Sequence, residues 1–147
     1  MRIYLDACCV NRLTDDQFQK RVREEAEAVE RILRSVRTGE SIWIISAALI
    51  YEIEQSPQED RKRESLALLA LSSASVGLDD RIVDRARTFQ SAGYGGFDAL
   101  HLASAEAGGA DVLLTTDDKF VKRARRGAGS PRVPVRNPVS WLKDEPL

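Results

Sequence analysis

The chain has 147 residues, 43% hydrophobic and 31% charged, with a net charge of −1. That is ordinary for a globular domain with a real core, and it excludes a polycation, a disordered tail and a collagen-like repeat. The chain opens on the apolar run Ile3, Tyr4, Leu5 with no signal-like leader, and its longest apolar stretch, IWIISAALI, is about half the roughly 20 residues of a membrane helix. The expectation is a cytoplasmic protein with no membrane partner.

In chain order, RIYLD (2–6) reads as a first strand. Thr14 with Gln17 fits a capping box, and Val22, Ala26, Val29, Leu33 and Val36 then recur at helical spacing until Gly39. IWII (42–45) is a second strand, and Ser46 an N-cap for a helix carrying Tyr51 and Glu52. Ser56, Pro57 and Glu59 mark another helix start. A weaker strand near Ser75 to Leu78 precedes a helix with Ile82, Ala86 and Phe89 on one face. Asp98 opens an apolar helix that the Gly108-Gly109 pair stops, and Val112 to Leu114 form a buried strand. A basic helix from about Asp118 to Arg126, a loop GAGSP (127–131), a strand RVPV (132–135) and a last turn with Trp141 and Leu142 complete the chain. Strand alternating with helix predicts a mainly parallel sheet covered on both faces. The fold class is a three-layer α/β/α sandwich, read as one domain over residues 1–147.

Four carboxylates fall at or just beyond strand ends or on the following helices: Asp6, Glu52, Asp98 and Asp117. Parallel strands bring such positions to one edge of the sheet. Four anions in a small volume repel, and hard oxygen-seeking cations, Mg²⁺ or Mn²⁺, resolve that repulsion. Carboxylate-held metal pairs suit phosphodiester hydrolysis, where the attacking and leaving oxygens both need charge stabilisation. The bland alternative is solvated acids complementing helix dipoles.

The patterns YLDACC, SAALIYEI and FDALHLASAEAGGADVLLTTDDKF, with RVPVRNPVSWL at the end, resemble the PIN-domain family. The most specific block is an Asp followed by an Ala/Leu/His/Leu/Ala helix and then a strand ending in Thr-x-Asp. The resemblance implies a metal-dependent ribonuclease acting on RNA, and for small single-domain members a toxin held by an antitoxin protein; it also implies a homodimer. By position, Asp6, Glu52 and Asp98 match the family's three core acids and Asp117 its more variable fourth, while Thr115 matches the hydroxyl residue near the metals. Asn11 matches a residue that reaches phosphate in relatives with an Asp-x-Cys-Cys start. The family often has Thr or Ser after the first Asp, and here it is Ala7.

Neighbouring residues are assigned milder roles. Glu54 lies about 200° around the helix from Glu52 and reads as solvated. Asp118 is a lesser candidate ligand, His101 a satisfied helix histidine rather than a phosphate or water contact, Tyr51 and Trp43 core residues rather than base-stacking platforms, and Cys8 and Cys9 buried reduced thiols. Lys119, Lys122, Arg123, Arg125, Arg126, Arg132 and Arg136 are seven bases without an intervening acid. A solvated face is the ordinary reading; the competing one is an RNA-backbone track led by Lys119, Lys122, Arg123 and Arg126. Two other classes compete with the nuclease: a non-catalytic binding module on the same fold, and a phosphoacceptor signalling domain. The latter wants two acids at the end of the first strand and a lysine after the last, which this chain lacks.

Overall fold

The computed structural model describes residues 1–145 and 147. Five strands form one parallel sheet: β1 (Arg2–Leu5), β2 (Ile42–Ser46), β3 (Ala74–Val76), β4 (Val112–Leu114) and β5 (Val135–Arg136). Their spatial order is β3-β2-β1-β4-β5. Among the described residues, eight α-helices cover it: α1 (Ala7–Asn11), α2 (Lys20–Arg37), α3 (Ala47–Glu54), α4 (Glu59–Leu68), α5 (Asp80–Ser91), α6 (Gly96–Ala107), α7 (Asp118–Arg125) and α8 (Pro138–Asp144).

The three layers follow from strand alternation. Ile3 and Leu5 of β1 join Trp43, Ile45, Val112 and Leu114 in one apolar cluster with Val29 and Ile32 of α2 and Trp141 of α8. Tyr4 points the other way, into a second cluster with Ile44, Leu113, Phe89, Leu102 and Phe120. Because both faces are covered, β1, β2 and β4 are almost continuously apolar. Each large side chain fully buried here is worth about 1.5–3 kcal/mol. Register is set by Tyr4 opposite Ile44 and Leu5 opposite Leu114.

The chain lays down β1, β2 and β3 outward in one direction, then returns to the other side of β1 for β4 and β5. The reversal leaves a crevice between the carboxyl ends of β1 and β4, the usual place for a ligand in an open parallel sheet. This order also differs from the 2-1-3-4-5 arrangement of the flavodoxin-like phosphoacceptor fold, which removes that alternative.

Local details depart from the expectations in several places. Asp6 accepts from the Cys9 amide and so caps α1, a helix the sequence did not announce. The expected capping box at Thr14 is absent: the Gln17 amide donates to the carbonyls of Arg12 and Asp15, and α2 begins only at Lys20. α4 starts at Glu59 rather than Pro57, with Ser56 accepting from the Gln58 amide. The last strand is Val135–Arg136 instead of 132–135. Ser46 does cap α3, accepting from the Leu49 amide. The Gly108-Gly109 stop also forms. A Cβ on Gly108 would lie 2.9 Å from methyls of Ile44 and Val76, and Gly109 takes φ +68°.

Candidate active site

Asp6 leaves β1 into the crevice with 4% of its surface exposed. Its Oδ1 accepts from the Cys9 amide at 3.2 Å and from the Cys8 thiol at 2.8 Å. Burial, before any other influence, pushes its carboxyl well above the usual range. The Cys8 thiol is lowered to about 6, the adjacent Cys9 thiol being the largest influence. Contrary to expectation, Cys8 is only half-buried, and it supplies the side-chain hydrogen bond to Asp6 that Ala7 cannot. Cys9 is buried, its thiol donating to the Leu114 carbonyl.

On the β4 side of the crevice, Thr115 follows the strand directly. Its Oγ1 accepts from the Asp117 amide at 3.1 Å and lies 3.3 Å from Cys8 Sγ. Asp117 caps α7, accepting from the amides of Lys119 and Phe120. The dipole of α7 favours an anion there, and the cap holds the carboxylate at the crevice mouth.

Asp98 sits in the first turn of α6, and no side chain of the described residues hydrogen-bonds its carboxylate. Its pKa is raised to about 6, first by burial, then by the charges of Asp6 and Asp117, with Glu52 adding less and His101 opposing. Asp98 therefore feels all three of the other acids. Among the described residues, no Lys or Arg nitrogen lies within 4.0 Å of the carboxylates of Asp6, Asp98 or Asp117.

Glu52 is held differently. Its Oε1 is 2.7 Å from His101 Nε2; His101 Nδ1 is 2.6 Å from the Tyr4 hydroxyl, itself 2.6 Å from Ser46 Oγ. One proton arrangement satisfies every member: Ser46 donates to Tyr4, Tyr4 to Nδ1, and Nε2–H to an ionised Glu52. His101 is thus a satisfied helix histidine, and it also aims Glu52. Sequence reasoning missed that second role, because Tyr4 and Ser46 carry no motif.

The remaining expected residues divide. Asp118 is engaged at the surface instead: Arg21 grips both its oxygens at 2.9 Å and lowers its pKa. Tyr51 is not core; 58% of it is exposed, whereas Trp43 is fully buried. Glu54 is exposed as expected, and Asn11 is half-buried at the end of α1. Lys119, Lys122 and Arg126 are exposed on or just after α7, and Arg123 stands 5.8 Å from the Tyr94 ring centre. Arg136 is engaged by Asp144 at 2.7 Å.

The donor chemistry fits a hard divalent cation: carboxylate oxygens in a half-dry crevice, supported by a hydroxyl, with no protein cation neutralising three of them. The ligand atoms of Asp6, Cys8 and Cys9 all lie within 4.8 Å of one another, a closer grouping than the four acids make. Cys9 is committed to Leu114, and Cys8, the other thiol of that grouping, is a soft donor that suits a hard cation less well than the carboxylates do.

Comparison with known proteins adds the lineage. Structures with the same fold include VapBC2 from Rickettsia felis bound to a DNA fragment from their promoter, 15% identical over 93% of this chain and 98% of that one, TM-score 0.58. VapBC-1 from nontypeable Haemophilus influenzae is 17% identical over 94% and 98%, TM-score 0.58. PAE2754 from Pyrobaculum aerophilum is 15% identical over 99% and 88%, TM-score 0.56. No curated protein sequence matches the chain. The profile of the PIN domain matches residues 3–126, a span that holds Asp6, Glu52, Asp98 and Asp117 and, but for Arg2, every strand except β5. With that span and this sheet order, the chain belongs to the PIN-domain family.

Proposed function

We propose that this chain, as a single PIN domain over residues 1–147, is an Mg²⁺- or Mn²⁺-dependent endoribonuclease. Asp6, Glu52, Asp98 and Asp117 are its metal-holding acids. The observation that carries the reading is Asp98, a carboxyl pushed to about 6 by burial and by the acids around it, with no protein cation to offset them. Charge clusters of this kind in a crevice mark functional sites more often than structural ones.

When bound, the divalent ion supplies charge stabilisation at the scissile phosphate and acidity to water. The chain's own residues do the positioning. The α1 cap and the Cys8 thiol fix Asp6, the Tyr4–His101 pair aims Glu52, and Thr115 holds the backbone that presents Asp117. Asn11 lies at the end of α1 and is assigned to the phosphate. Lys119, Lys122, Arg123 and Arg126, directly beyond Asp117, attract the RNA backbone.

The family resemblance extends the reading to a toxin restrained by an antitoxin protein, and two of the similar folds are structures of VapBC2 and VapBC-1. Homodimer formation belongs to the same proposal. The site's acids face a polyanion, so cleavage depends wholly on the added cation. The test is cleavage of RNA with Mg²⁺ or Mn²⁺, with EDTA and with Asp6→Asn and Asp98→Asn. Full activity in either variant overturns the assignment. Calorimetry that detects no divalent-ion binding supports the non-catalytic binding module instead. No described helix is long and apolar enough to cross a membrane.

A further inference from the structure

Among the described residues, one set of three metal-ligating side chains has its donor atoms within 4.8 Å of one another: Asp6, Cys8 and Cys9. Two thiols and a carboxylate are a different donor set from the four acids, and they select a different ion. Thiolates favour borderline and soft cations such as Zn²⁺ over Mg²⁺ or Mn²⁺, and Zn²⁺ binds a given site more tightly than Mn²⁺ does.

The geometry is close to what such an ion needs. Zinc–sulfur bonds of about 2.3 Å and a zinc–oxygen bond of about 2.0–2.2 Å, set tetrahedrally, put the donor atoms about 3.5–3.8 Å apart. Side-chain movements of about 1 Å therefore close the set around an ion. Cys8 Sγ already lies 2.8 Å from Asp6 Oδ1. The outer partners are in place as well. The Thr116 amide donates to Cys8 Sγ at 3.3 Å, and the Thr115 hydroxyl lies 3.3 Å from the same sulfur. Hydrogen bonds to a coordinating atom orient it and tune the metal it holds. Cys9 gives up only a weak S–H bond to the Leu114 carbonyl, 3.3 Å long. Cys9 is buried and Cys8 half-buried, so an ion enters past Cys8 from the crevice.

We propose that Asp6, Cys8 and Cys9 bind a thiophilic divalent cation of the Zn²⁺ class, which withdraws Asp6 from the hard-cation site and switches the nuclease off. Binding forms two metal–sulfur bonds and one metal–oxygen bond and releases the ligands' protons to solvent. Water takes the fourth position, and no oxidation state changes. The thiolate site stands independently of the ribonuclease reading; its inhibitory effect rests on that reading.

The test titrates Co²⁺, a spectroscopic substitute for Zn²⁺, into the full chain kept reduced by a phosphine. The wild type should bind a single ion with intense sulfur-to-cobalt charge-transfer absorption and the visible bands of tetrahedral cobalt, and Zn²⁺ should bleach both. Cys8→Ser should weaken binding about 100-fold, and Asp6→Asn about ten-fold. Cys9→Ser should match Cys8→Ser; if its buried hydroxyl unfolds the chain, the other two variants decide. A wild type without the sulfur band, or an unweakened Cys8→Ser, overturns the proposal. Affinity unchanged in Asp6→Asn puts the ion on the thiols alone and overturns it too. The effect on the enzyme is read by electron paramagnetic resonance of Mn²⁺ and by RNA cleavage in Mn²⁺. One equivalent of Zn²⁺ should release bound Mn²⁺ and stop cleavage in the wild type, whereas Cys8→Ser should need about 100-fold more. Zn²⁺ bound beside retained Mn²⁺ overturns the switch. If the wild type neither binds Mn²⁺ nor cleaves RNA, the nuclease reading fails, and the cobalt spectrum still decides the thiolate site.

Discussion

Two buried acidic sites in this molecule are built on opposite terms. Glu25 of α2 is 1% exposed, yet it accepts from Arg12 Nε at 2.9 Å, Arg21 Nε at 3.3 Å and Asn137 Nδ2 at 2.6 Å. Those donors come from the end of α1, from α2 itself and from the cap of α8, so one carboxylate ties three helices together. Asp6 is nearly as buried and has an amide and a thiol but no cation; Asp98 lacks even those. A chain that can satisfy a buried acid so fully, and does so at Glu25, leaves the crevice acids unneutralised. Burial raises the pKa of both Asp6 and Asp98, and on the proposed reading a divalent cation from outside the chain is their partner. The two sites meet at the loop after β4, where Arg21 also donates to the Thr116 carbonyl and grips Asp118.

Exchanging the acids tests that contrast most sharply. Asp6→Asn and Asp98→Asn should each cost about 10³-fold or more in RNA cleavage, the scale of several kcal/mol of lost charge stabilisation. Neither should unfold the protein, since Asn still caps α1 and loses only a disfavoured charge at 98. Glu25→Leu should do the reverse. It leaves the Asn137 amide without its acceptor, takes one of two acidic partners from each of Arg12 and Arg21, and should lower the unfolding free energy by about 2–3 kcal/mol, measured in urea with and without Mg²⁺. A Glu25 variant as stable as wild type would erase the distinction between the sites.

Smaller effects sharpen the picture. His101→Leu leaves Glu52 unaimed and should lower kcat/KM about ten-fold while raising the Mn²⁺ concentration needed for half-maximal rate. A purely structural histidine would leave that metal dependence unmoved. Asp98 gives a pH signature. Its folded pKa of about 6 lies above the ordinary 3.8, so the group's stabilising contribution is present below about 3.8 and is lost as pH rises through 6. Metal-free protein should therefore lose melting temperature from this group between about pH 4 and pH 7. Asp98→Asn should flatten that loss and Mn²⁺ at pH 7 should reverse it. Last, Lys122→Ala should weaken RNA binding only a few-fold and reduce the salt slope by about 1.

What the sequence made legible was local. The alternation of apolar strands with amphipathic helices sufficed for the layers, and Ser46, Gly108 and Gly109 act where their chemistry said they would. The acids' positions at strand exits and helix starts could be read for the same reason. α1 was hidden because Asp6 serves twice, as crevice acid and as cap, and Thr14 with Gln17 then passed for a helix start. Tyr51 read as core because Leu49, Ile50 and Ile53 surround it, but its side of α3 is turned to solvent and 58% of it is exposed. The Tyr4–His101–Glu52 chain joins residues 97 and 49 apart in sequence, and the Arg21–Asp118 pair joins residues 97 apart. Such pairings are decided by how helices dock, which no local pattern encodes.

The central place of β1 has a consequence for timing. The first strand made is the one that β4 must find, pairing Leu5 with Leu114 across most of the chain. Contacts that distant close late, after the entropy of a long loop has been overcome. During synthesis the N-terminal half can assemble β1, β2 and β3 with Asp6 and Glu52, but Asp98 and Asp117 arrive only with the segments around β4. A nascent or truncated chain therefore carries half a crevice, and the complete acid cluster is a late reporter of folding.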